Sequence, residues 1–268
     1  MRPEPKSVVN NLSNERRDLW SEIAARHAID ELKVRRLIRK LDDLIIPTRQ
    51  TDSTIAIALH EQGYLYAYLG KKETSLQLFD DAVVAGLMPL AASISKAHAL
   101  YICGDLKMSK KVLLGIDIEG ADQSGLAGVA DGCMHLGLFT MAADLYVKAG
   151  KQSGEVSQHL LVAAEIMNEI GATDDQVSAR LETASKIIQS MSGHPHIALD
   201  IFAMQGEGIL YRFMVKGATD HLMAIDSAIE QALGSKYNDA IDQYLSIGVA
   251  PHEEGAILTA NEGYYVSM

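Results

Sequence analysis

Cysteine, proline and long apolar stretches are scarce in this chain, and each shortage excludes a class of protein. The two cysteines, Cys103 and Cys133, cannot form a disulfide framework, so we expect buried free thiols in a reducing compartment. Only six prolines are present, which favours helices. The most apolar window, residues 125–147, carries Asp131, His135 and Asp144, and the N-terminus lacks the apolar core of a signal peptide. We therefore expect a cytoplasmic protein with no membrane contact.

Basic residues are also in the minority, and they are unevenly distributed. The net charge is −11, yet residues 1–50 hold eleven Lys and Arg against eight Asp and Glu, whereas the remaining 218 residues hold thirteen against twenty-seven. An acidic body repels nucleic acid and membrane headgroups, so only the N-terminal fifth could meet a polyanion. A hydrophobic fraction of 48% indicates a globular chain.

Four glycines recur at a nearly constant interval through the middle of the chain. Gly70, Gly104, Gly137 and Gly171 are separated by 34, 33 and 34 residues. Around Gly70, small residues alternate with large ones at helical spacing (Gly63, Ser75 and Ala82; Leu59, Tyr66 and Phe79). This pattern predicts two short helices that touch at the small residues, with Gly70 ending the first in the left-handed conformation.

A 34-residue unit of paired helices resembles the tetratricopeptide repeat. The resemblance implies an all-α fold: a right-handed α-solenoid of about four helical hairpins with N- and C-terminal helical caps. We expect an N-terminal helical hairpin over residues 1–50, repeats over 51–190, and C-terminal helices with a degenerate fifth repeat and a tail over 191–268. A non-repetitive helical bundle with coincidental glycines is the alternative.

In this family the first helix of each unit lines a concave wall, and the resemblance indicates which side chains it exposes. Aromatic, imidazole and carboxylate groups suit a peptide or an amphipathic helix, and no Lys or Arg is present for the carboxylate clamp of chaperone-binding members. The alternative is that some of these side chains pack against the N-terminal hairpin or the tail. The predicted wall consists of His60, Tyr64, Tyr68, Ile94, His98, Tyr101, Asp131, Met134, His135, Glu165, Asn168 and Glu169.

The N-terminal segment is predicted to form two helices, one from Asn14 to about His27 and one from the cap Asp30 to about Ile45. Residues 22–41, EIAARHAIDELKVRRLIRKL, resemble a helix-turn-helix, with Ala28 where a turn glycine is usual. The resemblance makes the second helix a recognition helix whose candidate DNA contacts are Lys33, Arg35, Arg36, Arg39 and Lys40. A capping hairpin with a solvated basic face, and an anionic or protein partner, are the alternatives. Trp20 is predicted to be a core anchor.

After the repeats the periodicity predicts three more helices, over residues 197–215, 218–234 and 237–247, which would cap the solenoid. Residues 173–176 form a predicted capping box at the start of the preceding helix. The final residues, 256–268, could be a loose tail, a docked segment or a hook into a neighbouring subunit, so a homo-oligomer is an open alternative.

Motifs for catalysis, phosphate binding and metal binding are missing from the sequence. His194 and His196 flank a proline and have no third ligand at a usual spacing. Three histidines of the predicted wall could bind a metal or sense pH, but hydrogen bonding is their ordinary role. We expect no enzymatic activity, no cofactor and no metal.

The first functional hypothesis is a non-catalytic protein-interaction module, an adaptor, chaperone or scaffold that binds a protein or peptide segment on the predicted wall. This inference depends partly on analogy of fold. The second hypothesis is a transcriptional regulator with an N-terminal helix-turn-helix that binds DNA.

Overall fold

The structure is a computed structural model that describes residues 5–45, 52–151, 155–192, 198–252 and 259–260. These ranges contain eleven α-helices and a four-stranded sheet. They fall into two compact units, one within residues 1–117 and the other within residues 118–261. The N-terminal helices, which the sequence placed in a part of their own, pack against the helix Asp52–Tyr68 and belong to the same unit.

The first unit is a set of six helices that pack in chain order. The helix α1 begins before Asn14, its predicted start, and the carboxylate of Asp30 caps α2 by accepting from the backbone N–H groups of Leu32 and Lys33. Each consecutive pair from α1 to α6 is in contact, and α3 also contacts both α1 and α5. The helices are α1 (Pro5–Arg26), α2 (Glu31–Ile45), α3 (Asp52–Tyr68), α4 (Lys72–Val84), α5 (Pro89–Ile102) and α6 (Leu106–Leu114).

The second unit combines five helices with the sheet. The capping box predicted at residues 173–176 is confirmed, since Thr173 and Gln176 exchange backbone-to-side-chain hydrogen bonds of 2.9 and 3.3 Å. The helices are α7 (Gln123–His135), α8 (Phe139–Lys148), α9 (Glu155–Glu169), α10 (Asp174–Ser192) and α11 (Thr219–Lys236), and the strands are β1 (Ala198–Met204), β2 (Gly208–Val215), β3 (Leu245–Pro251) and β4 (Thr259–Ala260).

The four recurring glycines occupy four equivalent turns, as the sequence predicted. Gly70, Gly104, Gly137 and Gly171 have φ values of 66–72°, which glycine adopts at little cost. In each turn the residue after the glycine donates its N–H to the carbonyl five residues earlier, at 2.8–3.0 Å. This bond ends the first helix of each hairpin with a Schellman motif.

The small residues lie where paired helices touch. A Cβ on Gly63 would meet the Phe79 ring at 2.7 Å, so α3 and α4 can pack this closely only because position 63 lacks a side chain. Ser75 and Ala82 on α4 are buried beside Phe79, as their spacing predicted.

The expectation of a purely α fold is wrong for the C-terminal part. Residues 197–215 were predicted as one helix, but they contain an antiparallel hairpin of β1 and β2, in which Phe202 pairs with Leu210. Residues 237–247 were also predicted as a helix, but they form a 3₁₀ turn, Ala240–Gln243, and enter β3, which runs parallel to β2. The helix predicted at 218–234 is confirmed as α11, which connects β2 to β3 rather than completing a fifth hairpin.

A buried arginine fixes the turn that leads into β3. Arg180 on α10 is 2% exposed, donates to Asp239 at 2.8 Å and to Asp242 at 3.0 Å, and lies over the ring of Tyr237. Hydrogen bonding to Arg180 lowers the pKa of Asp239. The two acceptors also form a capping box that starts the 3₁₀ turn.

The strand order of the sheet is β3-β2-β1-β4, and because β4 pairs only with the first two residues of β1, the two long edges belong to β3 and to the rest of β1. Each of these edges has a backbone group that is already occupied. Asp226 of α11 accepts a 2.7 Å hydrogen bond from the N–H of Val249 in β3. The backbone of Ala203 in β1 meets Nδ1 of His159 at 3.1 and 3.3 Å, and β4 pairs with the start of β1. These contacts protect the edges of a small sheet.

Several predicted features lie outside the described residues: the linker around Pro47, the pair His194 and His196, and most of the tail 256–268. None of the helices in the described ranges combines the length and apolar character that crossing a membrane requires.

Candidate functional site

The predicted wall of the first unit is not open to solvent. Its six side chains, His60, Tyr64 and Tyr68 on α3 and Ile94, His98 and Tyr101 on α5, are each no more than 5% exposed. We refer to these six residues as the α3–α5 wall. The prediction that they are exposed is wrong, because α1 contacts α3 and places two large side chains among them.

The first of these side chains is Arg16, which is fully buried. Its guanidinium forms a short ion pair with Glu61, donates to the hydroxyl of Tyr68 at 3.1 Å, and lies 4.4 Å from the ring centre of Tyr64. All three receiving side chains come from α3, at positions i, i+3 and i+7, which share one face of a helix. A single helix therefore supplies an ion pair, a hydrogen bond and a ring face to the guanidinium.

The second side chain is Trp20, one turn further along α1. Its ring stacks on Tyr68 with centroids 5.0 Å apart and meets His98 edge-on at 5.9 Å. Trp20 is 2% exposed, as predicted for a core anchor. Its Nε1 is buried and has no hydrogen-bond partner among the described residues.

The carboxylate of Glu61 is held on both sides. One oxygen meets Arg16, and the other lies 3.4 Å from Nδ1 of His60, whose Nε2 is 2.8 Å from the hydroxyl of Ser95 on α5. Burial alone would raise the pKa of Glu61, but the attraction of Arg16 and hydrogen bonding lower it overall, so the carboxylate is charged.

The hydrogen-bonded series of hydroxyl, imidazole and carboxylate formed by Ser95, His60 and Glu61 has the same groups as the catalytic triad of a hydrolase. Its environment, however, does not suit nucleophilic catalysis. All three residues are fully buried, so a substrate cannot reach the hydroxyl in this conformation. The carboxylate is also neutralised by Arg16 rather than reserved for the imidazole. The hydrogen bonds therefore position Glu61 and stabilise the packing of α3 on α5.

In the second unit, the predicted wall residues are divided between buried and exposed positions. Met134 and His135 at the end of α7 are buried, and Asp131 is half-buried. The expectation of exposed contacts at Met134 and His135 is wrong, since Tyr211 of β2 covers this end of α7 and donates to the His135 carbonyl at 3.0 Å. Only Glu165, Asn168 and Glu169 on α9 are exposed as predicted.

Burial changes the protonation of groups near the end of α7. Desolvation lowers the pKa of His135 to about 4, so its imidazole is neutral at pH 7. Burial raises the pKa of Asp131 and outweighs the hydrogen bond that Asp131 accepts from Tyr146. Burial also raises the pKa of the Cys133 thiol and of the Cys103 thiol to about 12, so neither is a reactive thiolate.

The five candidate DNA contacts on α2 are all exposed, as the helix-turn-helix interpretation requires. Three of them are already paired: Lys33 with Glu22, Lys40 with Glu15, and Arg35 with Glu31. A cleft of about 300 Å³ lies between α1 and α2 and is lined by charges of both signs (Glu15, Asp18 and Glu22; Lys33, Arg36 and Lys40). Arg36 and Arg39 form no ion pair with the side chains that the structure describes.

The turn between α1 and α2 differs from the predicted one. The left-handed residue is His27, with a φ of 48°, rather than the expected position 28. A non-glycine residue in this conformation is uncommon and costs free energy. We call residues 27–30 the connecting segment.

Sequence reasoning missed the role of α1 as the cover of the α3–α5 wall. The signal that could have revealed it is the placement of Arg16 and Trp20 on the same face as the apolar residues of α1, because an arginine on such a face needs an acidic partner such as Glu61.

Across the described ranges, no group of three or more His, Cys, Asp or Glu side chains is arranged to hold a metal ion. No protein-family model, no curated protein and no solved structure matches this chain.

Proposed function

We propose that the protein is a non-catalytic protein-interaction module whose α3–α5 wall binds an amphipathic helix. The observation that supports this proposal is the position of α1 against α3 and α5. Arg16 and Trp20 of α1 contact side chains of α3 and α5 as the anchor residues of a bound helix would. Helix-in-groove recognition uses anchors spaced three and four residues apart along one face. The buried side chains of α1 follow that spacing (Val9, Leu12, Arg16, Leu19, Trp20 and Ile23).

We further propose that the hairpins are tetratricopeptide-like and stack as a solenoid within each unit. The four equivalent glycine turns support this proposal. So do contacts between residues one repeat apart: Lys72 pairs with Asp105 at 2.9 Å, and Asp174 accepts from the backbone N–H of Thr140 at 2.9 Å. Contacts at the repeat spacing are those that stacked units make.

The proposal predicts that the helix on the wall can be exchanged. A protease site placed between Ala28 and Ile29, in the connecting segment, allows the full chain to be cut after folding. We expect the α1 fragment to remain bound, to exchange with an excess of fluorescent peptide 5–26, and to leave a folded body during the exchange. Fluorescence anisotropy and circular dichroism measure the two properties.

Two results would contradict an interaction module. One is unfolding of the body as soon as the α1 fragment leaves, which would make α1 an ordinary core helix. The other is a fragment that never exchanges with peptide. The uncut chain, which holds its α1 by a covalent link at a high effective concentration, is the matched control and should bind far less peptide.

The exposure of Arg36 and Arg39 favours DNA binding as a second candidate function. It has less support, because the neighbouring Lys33 and Lys40 are neutralised by carboxylates of α1. If it holds, duplex DNA binds at low salt, the affinity falls steeply as salt rises, and Arg36→Ala with Arg39→Ala abolishes binding. Unchanged affinity in that double variant would exclude this surface.

A further inference from the structure

A guanidinium subsite that belongs entirely to α3 adjoins the α3–α5 wall and shares Tyr64 and Tyr68 with it. Glu61 supplies the charge, Tyr68 a hydroxyl acceptor and Tyr64 a ring face, and all three are buried around Arg16. The second oxygen of Glu61 lies 3.4 Å from Nδ1 of His60, and Ser95 holds the other ring nitrogen of His60 at 2.8 Å. The subsite is therefore organised by groups that do not belong to the helix it binds.

A second subsite lies one helical turn away and accepts an indole. Tyr68 provides a stacking face at 5.0 Å and His98 an edge contact at 5.9 Å to the ring of Trp20. Tyr68 takes part in both subsites, so the two are fixed at a distance that matches residues i and i+4 of one helix.

The charge on Glu61 makes the guanidinium subsite selective. A buried ion pair contributes little net stability compared with apolar packing, but leaving one partner uncompensated is strongly unfavourable. A helix with an apolar residue in place of Arg would leave the carboxylate buried and unpaired. Discrimination against a wrong helix is therefore built into the wall.

From this geometry we propose that the wall selects a partner helix that presents arginine and tryptophan one turn apart, and that α1 is a built-in competitor for that partner. This inference rests on the proposed function and adds the chemistry of the partner. A partner helix displaces α1 by taking over the contacts to Glu61 and Tyr68, and α1 then moves about the connecting segment. The left-handed His27 places a strained residue in that segment when α1 is seated.

The test measures how the cut chain binds four peptides, each corresponding to residues 5–26. They are the unchanged sequence, Arg16→Ala, Trp20→Ala, and Arg17→Ala as the matched control, since Arg17 is the exposed neighbour. We expect Arg16→Ala to weaken binding at least about 30-fold, the range seen when one partner of a buried charged pair is removed. Trp20→Ala should weaken it to a similar extent, at least about 30-fold, because it truncates a buried aromatic anchor. The control should bind within about twofold of the unchanged peptide.

A second variant tests the charge directly. With Glu61→Gln in the cut chain, the preference for Arg16 over Ala at that peptide position should fall at least about tenfold, while the preference for Trp20 is kept. Circular dichroism checks that this variant is folded before binding is compared, and if it is unfolded, the four-peptide comparison in the unchanged cut chain decides alone.

The outcomes separate this inference from the proposed function. If no helical peptide binds the cut chain, both fail. If peptides bind but Arg16→Ala binds as tightly as the unchanged sequence, the wall is an unselective helix acceptor: the proposed function stands and this inference is overturned. A Glu61→Gln chain that keeps the full preference for arginine would overturn it as well.

Discussion

The ion pair between Arg16 and Glu61 can be tested by a double-mutant cycle in the intact chain. The changes are Arg16→Met, Glu61→Met and both together, because methionine has a similar length and carries no charge. Each single change leaves one charge buried without its partner, since both residues are fully buried. We expect each to lower the free energy of unfolding by about 3–5 kcal/mol, a large part of the 5–15 kcal/mol typical of a folded domain.

The double variant should be far more stable than the sum of the single effects predicts. With both charges removed, desolvation is no longer a cost, and the remaining losses are the contact of Arg16 with the Tyr64 ring, worth about 1 kcal/mol, and its bond to Tyr68, worth about 1 kcal/mol. We expect the double variant to lie within about 2 kcal/mol of the unchanged chain. The coupling energy would then exceed about 4 kcal/mol.

Urea unfolding followed by tryptophan fluorescence is a suitable assay, because Trp20 is the only tryptophan and lies one turn from Arg16. Arg17→Met is the matched control, since its side chain is exposed, and should change stability by less than about 0.5 kcal/mol. Additive effects, with a coupling energy below about 1 kcal/mol, would refute the pairing of Arg16 with Glu61.

The same variants should differ in how stability depends on pH. In the unchanged chain the pKa of Glu61 is lowered, so its contribution to stability is present above the unfolded pKa and is lost as the pH falls through the folded pKa. In Arg16→Met only burial and His60 act on the carboxyl, and we expect burial to raise its pKa. That variant should therefore gain stability from Glu61 as the pH falls through this raised pKa, and the same loss in both chains would contradict this account.

Three further predictions concern single positions. Gly63→Ala should lower the free energy of unfolding by about 1–3 kcal/mol, because the new Cβ meets the Phe79 ring. Gly234→Ala, in an open position on α11, should raise it by up to about 1 kcal/mol. Equal effects of the two changes in thermal melts would contradict the close packing at Gly63. The pKa of His135 is lowered to about 4 in the folded protein, so the unfolded chain takes up a proton at a higher pH than the folded one does. The free energy of unfolding should therefore fall by about 3 kcal/mol between pH 6.5 and 4. In urea titrations, His135→Gln should remove this loss. His27→Gly should raise the melting temperature by relieving about 1 kcal/mol of backbone strain, and a lowered one would show that contacts of the imidazole matter more.

Local signals predicted the helical hairpins well. The glycine turns, the cap at Asp30 and the capping box at residues 173–176 all depend on residues close in sequence, and the structure places each as expected. Gly63 was likewise identified as a contact residue from spacing alone. In each case the deciding interaction spans fewer than about twenty residues, so a sequence pattern can carry it.

The errors concern interactions between distant segments. Whether Tyr64 faces water or α1 depends on a helix more than forty residues away, and the repeat pattern contains no information about it. Residues 197–215 have apolar spacing that fits a helix, but pairing between β2 and β3 decides in favour of a strand. Burial of His135 by Tyr211 is a contact across 76 residues, which the local pattern cannot predict.

The backbone contacts at the edges formed by β3 and β1 limit how this protein can associate. An incoming extended peptide would need unpaired N–H and carbonyl groups, but Val249 donates to Asp226 and Ala203 is engaged by His159. Growth of fibrils by strand addition is hindered for the same reason. Associations through this part of the chain should therefore use side-chain surfaces, and Asp226→Ala, which frees one backbone donor, should make the protein more prone to aggregate on heating.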